Sequence, residues 1–154
     1  MNEASIRTYA ESELKSWGYY ISRIEWCEDR LKELDSQLAG DVHSPRIKSP
    51  EEAKYQAGTK IYQNNIIELM EREKYVKMAL DEFKDHRGRI ERFFGSCINS
   101  ESEKQIVECV YRYGHTASQV ARSKNVSRQY VHSVLSNAVD SFASFIDSDM
   151  KRRG

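Results

Sequence analysis

Arg128 and Gln129 follow directly behind Ser127, and His132 and Ser133 come one helical turn later. An arginine bonds guanine through two donors, and a glutamine bonds adenine in the same bidentate manner. On a helix this quartet is therefore a candidate set for reading base edges. Thr116, Arg122, Lys124, Ser127 and Ser136 surround it with groups suited to phosphate oxygens, helped by the free amides where a helix starts at Thr116. No catalytic constellation competes with it. His43, His86, His115 and His132 are scattered, without a His-x-x-x-His or Glu-x-x-His pair to hold a metal. A Gly-rich phosphate loop and a nucleophile elbow are missing, and the carboxylates lie among Lys and Arg as solvated charges do. The expectation is a protein that is not an enzyme and has neither metal nor cofactor. Cys27, Cys97 and Cys109 are odd in number and widely spaced, which predicts reduced, partly buried thiols rather than disulfides or a zinc site.

For the quartet to face outward, the last third of the chain must form short helices with tight turns. Glu103 to Tyr113 places Ile106, Val107, Val110 and Tyr111 on one side, and Gly114 stops it. Thr116 caps the next helix with Gln119 as capping-box partner, and Val120 and Ala121 face inward. After Ser123–Lys124–Asn125–Val126, a third helix starts at Ser127 and runs to about Ile146. Its predicted buried stripe is Tyr130, Val131, Val134, Leu135, Ala138, Phe142 and Phe145. A short capped helix, a tight turn and a longer helix with a polar far side make the layout of a helix-turn-helix.

Two longer helices precede this module. Between Asn2 and Ala39, Leu14, Trp17, Ile21, Ile24, Cys27, Leu31, Leu34 and Leu38 recur at intervals of three or four, as in a coiled-coil seam, and Gly40–Asp41 ends the run. Val42 to Ser49 reads as a connection. Ser49, Pro50 and Glu52 then signal a new helix start. From there one register passes through Tyr55, Tyr62, Leu69, Val76, Phe83 and Ile90, and a companion through Thr59, Ile66, Glu73, Leu80, Arg87 and Phe94. A helix from Glu51 to about Phe94 needs a partner for this stripe, either the first helix folded back or a second copy of the chain. Glu73 and Arg87 are expected to face water beyond the reach of the shorter first helix. The fold class is thus all-α, with a long coiled-coil-like hairpin over 1–95 and a three-helix module over 96–154.

The composition agrees with that class. Of 154 residues, 39% are hydrophobic and 31% charged, with two prolines and seven glycines. Helix formers dominate and turns are scarce, which predicts an elongated helical chain. Basic and acidic residues balance at 24 each, so any binding of a polyanion must be local. Apolar runs are far too short to span a bilayer, and Met1 to Ser5 carries neither a basic nor an apolar leader, so the expected compartment is the cytoplasm, with no membrane partner.

The run from Thr116 to Leu135, with a T-x-x-x-[IV]-A helix ahead of an S-x-x-x-V helix, resembles region 4 of bacterial sigma factors. The whole chain is similar to small phage-encoded transcriptional activators of the RinA and ArpU type. The resemblance implies a phage or mobile-element gene regulator that binds promoter DNA, has bacterial RNA polymerase as a possible second partner, and works in the bacterial cytoplasm. It departs from that pattern in charge. The third helix has Arg128 alone, followed by Ser136, Asn137 and Asp140, and residues 101–154 hold eight basic against six acidic side chains. So weak a grip favours a homodimer through the hairpin, or a polymerase partner, to add contacts. Two alternatives stay open: a small terminase subunit for DNA packaging, and a module that docks only on polymerase or a repressor.

Overall fold

A computed structural model describes residues 2–42 and 56–153, with side chains for 2–40 and 64–153. Every element among them is helical, so the chain is all-α as expected: α1 (Glu3–Lys15), α2 (Trp17–Val42), α3 (Gln56–Cys97), α4 (Glu101–Val107), a π-helical turn (Glu108–Arg112), α5 (Ala117–Lys124) and α6 (Arg128–Arg153). The predicted cap at Ser49, Pro50 and Glu52, the connection before it and the register position Tyr55 lie outside the described residues, as do the side chains of Thr59 and Tyr62.

The first predicted helix is two. Ser16 adopts φ −91°, ψ 0°, and its hydroxyl donates to the Ser12 carbonyl at 2.9 Å, a local bond that competes with the helical ladder. Asn2 caps α1 by accepting the Ser5 amide at 2.8 Å. The second piece runs through Val42, past the expected stop at Gly40–Asp41.

The chain forms two compact units, and they do not divide at residue 95. One contains residues 1–22 and 84–154, the other residues 23–83. The linear cut expected from the sequence fails because both ends of the supposed hairpin pack with the C-terminal helices. α1 lies against α6, α4 also packs on α6, and the buried stripe of α1 is Ile6, Ala10, Glu13 and Leu14. Phe93 and Phe142 meet at 4.8 Å between ring centres, with Phe145 beside both, and Trp17 tilts against Phe94 at 5.3 Å. Ile90, Ile106, Val107, Val131 and Ile146 complete this core, each fully buried. Burying one such side chain contributes roughly 1.5–3 kcal/mol.

Two contacts in this unit depend on residues far apart in sequence. Glu13, buried on α1, accepts the Tyr20 hydroxyl at 2.6 Å and faces His86 Nδ1 at 2.7 Å, while the Tyr20 and His86 rings stack at 4.7 Å. Burial and the hydrogen bond to Glu13 push the Tyr20 hydroxyl above its ordinary pKa. At the π turn, the Tyr113 amide donates to the Glu108 carbonyl, five residues back, at 3.1 Å. The Arg112 carbonyl of that turn sits so near Gly18 that a β-carbon there would lie 2.6 Å from its oxygen. Only glycine permits this approach.

In the second unit the heptad stripe is the buried one. Ile24 and Cys27 of α2 pack with Leu80 of α3, flanked by Leu31, Val76, Ala79 and Phe83. Leu34 and Leu69 are buried farther along. Glu73 does not face water as expected: its side chain is 17% exposed and pairs with Lys77 at 2.6 Å. That ammonium, bonded to Glu73, holds its carboxyl below the usual carboxylate range. In the first unit Arg87 is likewise half-buried, 3.7 Å from Glu91. All three cysteines are free. Cys27 is buried and Cys109 partly so, but Cys97 is exposed, contrary to the expectation for all three.

Candidate nucleic-acid interface

α5 and α6 are joined by Asn125, Val126 and Ser127. Both ends of this connection are determined locally. At the start of α5 the capping box is complete: Thr116 Oγ1 accepts the Gln119 amide at 3.1 Å, and Gln119 Oε1 accepts the Thr116 amide at 3.0 Å. At its end Asn125 takes the left-handed conformation, φ 57°, ψ 44°, which asparagine tolerates better than most residues. The Val126 amide then donates to the Ala121 carbonyl at 3.0 Å, satisfying an otherwise orphan acceptor. Ser127 Oγ accepts the Tyr130 amide at 3.0 Å and so starts α6, as predicted. Val120, Ala121, Val131 and Val134 are buried where the two helices pack.

This packing decides which side of α6 is left uncovered. Arg128, Gln129, His132 and Ser133 are all exposed, as are Thr116, Arg122, Ser127 and Ser136. Arg122 and Arg128 have no acidic partner among the described residues. Four of the nine predicted contacts already bond within the chain: Thr116 and Ser127 accept the capping amides described above, and Lys124 and Ser136 bond residues of other helices. Lys124 donates to Gln105 of α4, and the Ser136 hydroxyl accepts from Arg7 Nη2 at 3.2 Å. The Arg7 guanidinium also bonds Asp140 through Nε at 2.8 Å. Arg7, Glu11, Thr116, His132, Leu135 and Ser136 are among the residues lining a groove beside the exposed start of α6.

Sequence reasoning missed α1 here. Its only sign would have been a basic residue at Arg7 complementing Asp140 at the other end of the chain, and one such charge pair among many singles out nothing. The predicted stripe of α6 also needs correction. Tyr130 is 41% exposed, while Val139 and Ile146 are buried, and the helix continues to Arg153, its second half lined by Ile6 and Arg7 of α1 and met by Phe93 of α3 at Phe142 and Phe145. Burial raises the Tyr111 hydroxyl, on the π turn beside this groove, to about 12.

Compared with protein-family models, curated proteins and solved structures, the chain matches none.

Proposed function

We propose that this chain is a sequence-specific DNA-binding transcription regulator, with α5 and α6 forming a helix-turn-helix of the sigma-region-4 kind. The observation that carries the reading is the exposed leading end of α6, where Arg128, Gln129, His132 and Ser133 follow a three-residue turn and Arg128 has no acidic partner among the described residues. In this reading α6 enters a major groove with those four side chains toward the bases. Thr116 and the amides at the start of α5, together with Arg122 and Ser127, hold phosphates. Lys124 plays a smaller part because its ammonium already bonds Gln105, whereas the hydroxyls of Thr116, Ser127 and Ser136 accept bonds within the chain and keep an O–H to donate.

So few free cations give a weak grip per module. A working complex then has two modules per site, brought by a homodimer through a hairpin of α2 and α3, or one module steadied by RNA polymerase. The resemblance to phage activators points to promoter DNA as the target.

Selection from a randomised pool of duplexes, followed by binding titrations at several salt concentrations, tests this. Arg128→Ala should weaken the selected site by roughly 1–3 kcal/mol and relax the preference at one base pair, whereas Arg122→Ala should weaken every duplex alike and lower the salt slope by about one. No enriched sequence, with no salt-dependent binding even at low salt, overturns the proposal.

A further inference from the structure

The side of α3 turned away from its buried stripe is not an ordinary solvated face. Ile67, Met70, Tyr75 and Met78 are each more than half exposed, between 54% and 70%. At 3.6 residues per turn they fall on one side of the helix, opposite Leu69, Val76 and Leu80. Exposed Glu71 and Lys74 lie between them, and neither is paired with another described residue. Scattered single apolar residues on a surface are normal, but four along about three turns of one helix are a patch that asks for a cover.

The order of residues along this face says which cover fits. From the midpoint between Arg72 and Glu73, Glu71 on one side answers Lys74 on the other, Met70 answers Tyr75, and Ile67 answers Met78. A two-fold axis through that midpoint lays the same face of a second helix antiparallel on the first, so that Glu71 meets Lys74 and Ile67 meets Met78 of the other copy. Two Glu71–Lys74 ion pairs form at the centre and two Ile67–Met78 contacts close the ends, while Met70 covers one edge of the seam and Tyr75 the other. A parallel, in-register pairing would set Glu71 against Glu71 and Lys74 against Lys74. We infer that the outer face of α3 is a homodimer interface, with two copies of the chain antiparallel about the Arg72–Glu73 midpoint. This rests on the self-association in the reading above and requires none of its DNA-binding part.

Charge reversal on the full chain tests both the partner and the register, with molar mass followed across a concentration series by sedimentation equilibrium. The wild type should dimerise. Glu71→Lys and Lys74→Glu each place two like-charged pairs at the centre, and each should raise the dimer Kd by roughly 10- to 100-fold. The double variant E71K/K74E should return to within about threefold of the wild type, since the pairs are only exchanged. Equal amounts of the two single variants should form a mixed dimer tighter than either alone. The sites are exposed, so unchanged helical circular dichroism shows that folding is intact. Met78→Glu, which leaves the central charges alone, should also weaken the dimer.

A wild-type chain that is monomeric at every concentration overturns the inference and self-association together. A wild-type dimer indifferent to both reversals overturns this interface while leaving self-association elsewhere. Base selection in the duplex experiment is read independently of either result.

Discussion

The two compact units use the same helix-forming alphabet to different depth. Around α6, aromatic and branched side chains from α1, α2, α3, α4 and the π turn converge, so that Trp17, Phe93, Phe142, Ile90, Ile106 and Ile146 are almost wholly removed from water. Between residues 23 and 83 two helices share one seam. Ile24, Cys27 and Leu80 are buried there, but Leu31, Val76 and Phe83 remain half-covered. The difference teaches that a heptad stripe on two helices makes a ribbon of contact rather than an enclosed core, because each seam residue has neighbours on one side only. Enclosure requires helices from several directions, and α1 and α4 supply them around α6.

Truncating each core should sharpen this contrast most. Phe142→Ala is expected to cost about 3–5 kcal/mol, and Leu80→Ala less, near the 2 kcal/mol end of the range for leucine, because its surroundings can collapse and water is near. Urea denaturation of the two variants checks the order, and equal losses would break the contrast. Next comes Gly18→Ala. A methyl group would meet the Arg112 backbone carbonyl, which cannot swing aside as a side chain can, so a loss of about 1–3 kcal/mol is expected by thermal unfolding. The same change at Gly40, where a β-carbon meets nothing within 4 Å among the described residues, should cost little and by helix propensity should stabilise slightly.

Thr116→Ala removes the capping box of α5 and should lower stability by about 1 kcal/mol, with Thr116→Ser restoring most of it. The smallest effect is absent at neutral pH. Tyr111 has its pKa raised to about 12 by burial, and Tyr20 is raised as well, so the folded state favours their neutral forms. Their contribution is fully present below the unfolded tyrosine value near 10, and is lost as pH rises from there through the folded value. Stability measured by denaturant between pH 9 and pH 12 should fall, and Tyr111→Phe should flatten part of that fall.

Much of the candidate interface was legible because its signals are local. Thr116 and Gln119 lie three residues apart, Ser127 bonds an amide three residues on, and Val120, Ala121, Val131 and Val134 sit at helical spacing. Tyr130 was misread for the same reason that made the rest readable. It fits the apolar period, but the face of α6 met by α1 and by Phe93 of α3 is centred elsewhere, and no spacing within α6 records that. Arg7 beside Ser136 was invisible, since it depends on α1 folding onto a helix more than a hundred residues away.

The sequence by itself determined that the chain is helical, where α5 and α6 begin, and that positions 69, 76, 80 and 83 of α3 turn inward. These follow from hydrogen bonds and side-chain periods spanning only a few residues. Tertiary structure alone decided that α1 leaves α2 at Ser16 to cover α6, that Glu13 joins Tyr20 and His86, and that Gly18 admits the Arg112 carbonyl. Such contacts join segments distant along the chain, and their free energy exists only once several helices are in place together, so no window of neighbouring residues encodes them.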